Sequence, residues 1–216
     1  MRTLSGSFVL AALLGLGGCN SMTATAVDSI KLAVKGKVNT VPPERADNPR
    51  ADTLFVSAGA AEALYVAPRN SSGQIQWRGI TEQLETDGGR VTQLLGMPIE
   101  VLAPLEQEDP LREGLMTLPD GTQVTRHVDY PLSYQTGLTQ QATYTHGPLE
   151  TMNIFGRSQT LQRIDEQIWM PQIKYSAVNY YWVDPATGGV RRSLQYLAPG
   201  LPAFDLIFTH QRGAAQ

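Results

Sequence analysis

Short apolar and β-branched runs, separated by turn residues about every ten positions, make up most of the sequence after residue 52. The clearest turn is residues 87–89, Asp-Gly-Gly, which lies between two β-forming runs. Glycine accepts the positive φ angles of tight turns, so this segment predicts a β-hairpin. A second turn, residues 184–189, follows the aromatic run 178–183 and precedes an alternating run. This spacing predicts a mainly β chain with an antiparallel β-barrel-like or sandwich body.

Residues 1–18 have the pattern of a secretory signal peptide that ends in front of a cysteine. Arg2 supplies a positive charge, and the uncharged apolar run 8–16 follows it. That run is too short to span a bilayer, which needs about 20 apolar residues. The segment 16–19, Leu-Gly-Gly-Cys, resembles the lipobox of bacterial lipoproteins, in which the cysteine carries acyl (palmitate) chains and becomes the first mature residue. We therefore predict lipidation at Cys19.

The predicted lipid determines the expected location. By analogy with lipoprotein sorting, Asn20 rather than aspartate after the cysteine indicates the outer membrane, on its periplasmic side. The membrane, reached through the lipid on Cys19, is therefore a predicted partner. The alternative is an ordinary secreted protein with an incidental cysteine, but an unpaired cysteine is a liability in an oxidising compartment. With one cysteine in the chain, no internal disulfide can form.

Changes in composition, and the positions of glycine and proline, divide the rest of the chain into a linker region and a folded domain. Residues 19–52 predict a lipidated tether, a short amphipathic helix at 26–36 and a Pro-rich charged linker, and residues 53–212 predict a single antiparallel β domain. Hydrophobic residues make up 42% of the chain, which is enough for a packed core. The net charge is −3 and no basic patch stands out, so nucleic acid is not an expected partner.

Several motifs, in order along the chain, resemble one known family. They are the lipobox, Asp-Pro-Leu-Arg at 109–112, Gly121-Thr122 with Thr125-Arg126, the segment 149–157, and the segment 181–191 that contains Trp-Val-Asp-Pro-Ala-Thr-Gly-Gly. This set is similar to the YjbF/GfcB family of group 4 capsule polysaccharide lipoproteins. The resemblance implies an outer-membrane lipoprotein with a β-barrel-like body, a non-enzymatic accessory factor in the production or export of capsule or exopolysaccharide. Its implied partners are export proteins or the polysaccharide itself, and it brings no catalytic residues.

Two other functions stay open at this level. A half-barrel carrier similar to LolA and LolB would bind lipid or acyl chains in an apolar cavity. A polysaccharide hydrolase could use the carboxylates of Glu106, Glu108, Asp109 and Glu113, but a solvated loop explains this cluster more simply. No Gly-x-Ser-x-Gly nucleophile motif occurs in the sequence, and Gly188-Gly189 lies in a hairpin turn rather than between a strand and a helix. We therefore expect no enzyme activity and no cofactor.

Aromatic residues are the candidate ligand-binding groups. Tyr180 and Trp182 lie in one strand, with Tyr196 on its partner, and such rings can stack on sugars. Alternation separates Tyr181 from this set, and the competing interpretation is that the rings pack in the core or across strands. His127 and Asp129 share one face of a strand, but two ligands are too few for a metal site, so none is predicted.

Overall fold

The computed structural model describes residues 51–68 and 73–209, and these form a closed barrel in which each strand pairs antiparallel with its neighbours in sequence. Pairing between the first and last strands, with Leu54 opposite Phe208, closes the barrel. The twelve strands of these ranges are β1 Ala51–Ala58, β2 Ala61–Pro68, β3 Gln74–Arg78, β4 Gln83–Asp87, β5 Arg90–Leu95, β6 Val101–Leu102, β7 Gln123–Tyr130, β8 Gln135–Ile154, β9 Arg157–Met170, β10 Tyr175–Val183, β11 Val190–Gln195 and β12 Phe204–Phe208.

Short 3₁₀ helices join some of these strands. Those in the described ranges are Pro110–Glu113, Leu115–Thr117, Pro131–Ser133 and Pro171–Ile173. None of the described helices is long and apolar enough to cross a membrane. The short helix predicted at 26–36 and the lipidation site Cys19 lie outside the described residues.

The mainly β prediction is confirmed, and of its two forms the chain adopts the barrel. The Asp-Gly-Gly turn joins β4 to β5, and both Gly88 and Gly89 have positive φ, as the hairpin prediction requires. The aromatic run becomes β10 and the alternating run becomes β11. Local patterns therefore located these hairpins correctly.

The sequence predicts strands at 149–157 and 160–169 with a break near Gly156, and the structure confirms that break. β8 continues to Ile154 as a 20-residue strand, and β9 begins at Arg157. Phe155 and Gly156, with φ of 48° and 80°, form the turn between them, and the side chain of Asn153 accepts a hydrogen bond from the N–H of Gly156 at 2.7 Å. Two positive φ angles are typical of a tight hairpin turn, which explains why the strand breaks beside Gly156.

Alternate residues of the strands point into the barrel and fill it. The inward set includes the large side chains of Trp77, Tyr144, Tyr181 and Phe208, all fully buried, and the rings of Trp77 and Phe208 lie 6.0 Å apart. The connection between β6 and β7 adds buried leucines to the same core, namely Leu105, Leu111, Leu115 and Leu118. Burying one leucine contributes about 1.5–3 kcal/mol, so this connection is an integral part of the core.

Candidate functional site

A buried ion pair joins the β6–β7 connection to the barrel wall. Arg126 lies on the inward face of β7, and its Nε and Nη2 donate to the two carboxylate oxygens of Asp109 at 2.5 and 3.2 Å. Asp109 also accepts a hydrogen bond from the N–H of Leu111 at 2.9 Å and so caps the 3₁₀ helix Pro110–Glu113. Two motifs of the family resemblance, Asp-Pro-Leu-Arg and Thr-Arg, therefore meet through their charged residues.

Glu166, inward on β9, continues this cluster. Its Oε1 accepts hydrogen bonds from Nη1 of Arg126 at 3.0 Å and from the hydroxyl of Tyr144 at 2.5 Å. Its Oε2 accepts from Nδ2 of Asn179 at 2.8 Å and from the hydroxyl of Tyr181 at 2.7 Å. A carboxylate has about four lone-pair sites, so all of them are occupied by the protein itself.

Arg90 supplies a second buried cation. Its Nε lies 3.8 Å from Oε1 of Glu166, while its Nη1 and Nη2 donate to the carbonyl of Ala103 at 2.7 Å and to Oε1 of Gln140 at 3.0 Å. Two arginines thus balance the two carboxylates of Asp109 and Glu166, as buried charges require. We call these groups the interior network: Arg90, Asp109, Arg126, Tyr144, Glu166, Asn179 and Tyr181.

The interior network sets the protonation states of its members. Burial alone would raise the pKa of Glu166, but the positive charges of Arg126 and Arg90 and the donated hydrogen bonds outweigh burial and hold that pKa below its usual value. Burial, together with the negative charge of Glu166, raises the pKa of the hydroxyls of Tyr144 and Tyr181 well above the usual value. Glu166 is therefore an ionised, fully hydrogen-bonded carboxylate with no lone pair left for a substrate proton.

The predicted aromatic candidates Tyr180 and Trp182 face outward on β10, whereas Tyr181 points inward, in agreement with the alternation of the sequence. Their ring centroids lie 6.2 Å apart. The guanidinium of Arg163 lies 5.6 Å from the centroid of the Tyr180 ring, and that of Arg192 lies 5.0 Å from the Trp182 ring. These cations cover the aromatic faces, and only 3% of Tyr180 and 1% of Trp182 is exposed.

Acidic partners hold the covering arginines in place. Glu150 accepts from Nε1 of Trp182 at 2.8 Å and from Nη1 of Arg163 at 2.7 Å, and Arg192 makes two hydrogen bonds with Asp205 at 2.8 and 2.7 Å. Tyr196, the third candidate, follows β11; its side chain is partly exposed, and its backbone N–H donates to Asn179 at 2.7 Å. Sugar binding by these aromatic residues stays a prediction.

The histidine and carboxylate candidates do not converge. The outward-facing His127 has Nδ1 2.8 Å from Oε1 of Glu106, whereas Asp129 accepts from the backbone N–H of Gly137 at 2.6 Å. Asp109 is buried in its ion pair with Arg126, whereas the other three carboxylates of the predicted cluster, Glu106, Glu108 and Glu113, are exposed. Within residues 51–68 and 73–209, no three His, Cys, Asp or Glu side chains are placed to hold a metal ion.

A groove opens where β2 and β3 diverge. β2 pairs with β1 along its whole length but pairs with β3 only through Val66 and Arg78. The groove has a volume of about 610 Å³ and is lined by Ala51, residues 66–68 and 74–76, and Arg78. Sequence patterns did not indicate it, because the divergence of two strands leaves no local signal.

The fold and the interior network define a closed antiparallel β-barrel with a buried network of paired charges among its inward-facing apolar side chains. Residues 27–208 match the model of a family described as "Group 4 capsule polysaccharide lipoprotein gfcB, YjbF". The chain belongs to this family, whose members are lipoproteins associated with capsule polysaccharide, and the resemblance predicted above is confirmed.

Two relatives are similar over most of their length. The uncharacterized lipoprotein GfcB of Escherichia coli (strain K12) is 25% identical over 198 residues, which cover 89% of this chain and 92% of the relative. The crystal structure of the hypothetical lipoprotein YmcC from Escherichia coli (K12) superposes with a TM-score of 0.68 at 24% identity, covering 90% of this chain and 98% of that one. The second similarity shows a shared fold.

Sequence reasoning did not single out Glu166, Asn179 or Arg90. A signal for Glu166 was present, because it occupies an inward position between Ile164 and Ile168 of β9. A charged residue in the apolar register of a strand predicts a buried partner. The identity of that partner could not be read in the same way, because Arg126 lies on another strand.

Proposed function

We propose that this chain is a non-enzymatic accessory lipoprotein in the production or export of capsule or exopolysaccharide, anchored by lipid on Cys19 to the periplasmic side of the outer membrane. The observation that carries the proposal is the family match over residues 27–208. The lipobox at 16–19 and Asn20 after it support the anchor and its location. In this role the barrel acts by contacting the polysaccharide or an export protein.

The chemistry of the interior network supports a binding role over a catalytic one. Of its two carboxylates, Glu166 accepts four hydrogen bonds from the protein, and Asp109 accepts from Arg126 and from the N–H of Leu111. Its two arginines are paired with these carboxylates or with other protein oxygens. A general acid or base needs a free position within hydrogen-bond distance of a substrate. The network is instead suited to holding the β6–β7 connection and the strands in one arrangement.

The filled interior favours the accessory role over the carrier alternative. A carrier needs an apolar cavity of several hundred Å³ for an acyl chain. The inward positions of β3, β8, β10 and β12 hold the large, fully buried side chains of Trp77, Tyr144, Tyr181 and Phe208, which supports a packed interior over such a cavity.

Deletion and complementation test the proposed function and its location together. Cells that lack the gene are complemented with the wild-type protein, with Cys19→Ala, or with Asn20→Asp, and their cell-bound and released polysaccharide is measured. We expect the wild type to restore polysaccharide and Cys19→Ala to fail. Asn20→Asp keeps the lipid but changes the sorting signal, so it is the matched control for location and should also fail. Unchanged polysaccharide after deletion would refute the proposal.

Affinity capture distinguishes the accessory role from the carrier role. The tagged, lipidated protein is purified from detergent-solubilised envelopes, with Cys19→Ala as the control, and its co-purifying proteins, polysaccharide and lipids are identified. Export proteins or polysaccharide that are lost in the control support the accessory role. Stoichiometric bound lipid without either of these would support the carrier instead.

A further inference from the structure

The groove between β2 and β3 combines an apolar floor with a polar rim. Ala67 and Ile75, which belong to the hydrophobic core, form part of its lining. On β3 the side chains of Gln74, Gln76 and Arg78 alternate with the buried Ile75 and Trp77 and therefore point outward. Residues two apart on a strand are separated by about 6.6 Å, so three polar side chains follow one another along one edge of the groove.

Two of these rim side chains have unused hydrogen-bonding capacity. Neither Gln76 nor Arg78 makes a side-chain hydrogen bond or ion pair with any residue of the described ranges. Gln74 is held in place, because its Nε2 donates to Oε1 of Glu85 at 2.6 Å. Such a rim offers a planar cation and an amide to a ligand without first breaking protein contacts, which keeps the cost of binding low.

Two carboxylates on the neighbouring strand β4 have partners other than Arg78. Glu85, on the neighbouring strand β4, is engaged by Gln74 and by the hydroxyl of Thr92 at 3.0 Å. Asp87, farther along β4, lies 3.9 Å from Nη1 of Arg112. With respect to residues 51–68 and 73–209, the guanidinium of Arg78 is therefore available for a carboxylate ligand, with which arginine makes two parallel hydrogen bonds.

We propose that this groove binds a segment of a linear acidic saccharide, with Arg78 taking a sugar carboxylate and Gln76 hydrogen-bonding a ring hydroxyl. The proposal rests on the proposed function and names the chemical class of its ligand. The groove volume of about 610 Å³ lies within the 300–1,000 Å³ range of ordinary ligand sites. The apolar floor excludes water from one side of the sugar, and the alternating rim matches a repeating polar polymer.

Calorimetric titration of the mature, lipidated protein in detergent tests this site. The probes are a hexamer of galacturonic acid and a hexamer of galactose, which differ in charge and share a length. We expect the acidic hexamer to bind at least about tenfold more tightly, because hydrogen bonds to a charged partner contribute about 1.5–3 kcal/mol. Equal affinities for the two hexamers, or no binding of either, would overturn the assignment.

Two charge-removing variants locate the site. Arg78→Gln should weaken binding of the acidic hexamer about tenfold and abolish the preference for it. Lys174→Gln removes an exposed charge from the turn after β9 and should leave binding unchanged. An equal loss of hexamer affinity in the two variants would indicate attraction by net charge and would refute the groove as the binding site.

The binding result and the complementation result can fail separately. If deletion abolishes polysaccharide but the hexamers do not bind, the accessory role stands and this ligand site is wrong. If the hexamers bind through Arg78 but deletion has no effect, the site stands and the proposed function is wrong.

Discussion

Arg126 and Asp109 lie 17 residues apart in the chain, yet Nε of the arginine is 2.5 Å from Oδ2 of the aspartate inside the barrel. Both side chains are essentially inaccessible to solvent. Asp109 lies just before the 3₁₀ helix Pro110–Glu113, whereas Arg126 is in the middle of β7. The pair therefore attaches the β6–β7 connection to the barrel wall. Loss of the pair should lower the free energy of unfolding of the whole protein.

Asp109→Asn should lower the free energy of unfolding by about 3–5 kcal/mol. The variant keeps the size of the side chain but leaves Arg126 with only one carboxylate partner, and uncompensated buried charge is costly. Glu113→Gln is the control, because it removes an exposed charge from the same connection and should change stability by less than about 0.5 kcal/mol. Urea unfolding followed by tryptophan fluorescence measures both. A loss below about 1 kcal/mol in Asp109→Asn would contradict the pair's structural role.

Glu166 should make the protein sensitive to acid. Its pKa in the folded state is below the usual value of 4.5, so its ionised form stabilises the fold above that pH and the contribution is lost as the pH falls through the folded pKa. Burial raises the pKa of the neighbouring Asp165, which acts in the opposite direction. We expect urea midpoints of the wild type to fall between pH 5 and pH 3.

The variant Glu166→Gln isolates this dependence. It should be about 3–5 kcal/mol less stable than the wild type at pH 7, because two buried arginines lose a charged partner. As the pH falls below 4.5 toward the folded pKa of Glu166, the wild type loses this contribution, so the difference between the two stabilities should shrink. Parallel curves across this pH range would show that Glu166 is not the group responsible.

Tyr181→Phe should cost about 1.5–3 kcal/mol of stability, because it removes the hydroxyl that donates to Oε2 of Glu166 at 2.7 Å. Tyr180→Phe is the matched control on the adjacent, outward position of β10. Within the part of the chain that the structure describes, the Tyr180 hydroxyl makes no hydrogen bond, so its loss should have a smaller effect. Thermal unfolding of the two variants at pH 7 makes the comparison. Equal losses would place the two hydroxyls in equivalent environments and contradict the network.

Gly89→Ala should destabilise the protein more than Gly88→Ala. Both residues have positive φ, which costs an alanine about 1–2 kcal/mol at either position. A methyl group on Gly89 would also lie 2.6 Å from Cβ of Val190, whereas one on Gly88 would meet its nearest neighbour at 3.7 Å. The clash adds about 1–3 kcal/mol. Urea unfolding measures the difference, and equal stabilities would mean that the β4–β5 turn does not pack against β11.

Local patterns predicted much of the fold correctly. The Asp-Gly-Gly turn, the aromatic strand and the strand face shared by His127 and Asp129 all depend on residues close together in the chain. The strand break near Gly156 is also predicted from the sequence, and the structure has it at the Phe155-Gly156 turn, where both residues have positive φ. The split between β2 and β3 was missed because it is a relation between two strands, not a property of either.

The sequence alone was enough to predict the family, the mainly β fold and the shared strand face of His127 and Asp129, because each follows from residues near one another in the chain. Lipidation at Cys19 stays a prediction from the same kind of local pattern. The choice of a barrel over a sandwich depends on the folded chain, since closure requires β1 to pair with β12, which lies far from it in sequence. The tertiary structure also decided which charges meet: Arg126 is 17 residues from Asp109 and 40 from Glu166. A buried charge needs an oppositely charged partner close to it in the folded structure. Which residues pair with Arg126 therefore depends on the closed barrel and not on neighbouring positions in the sequence.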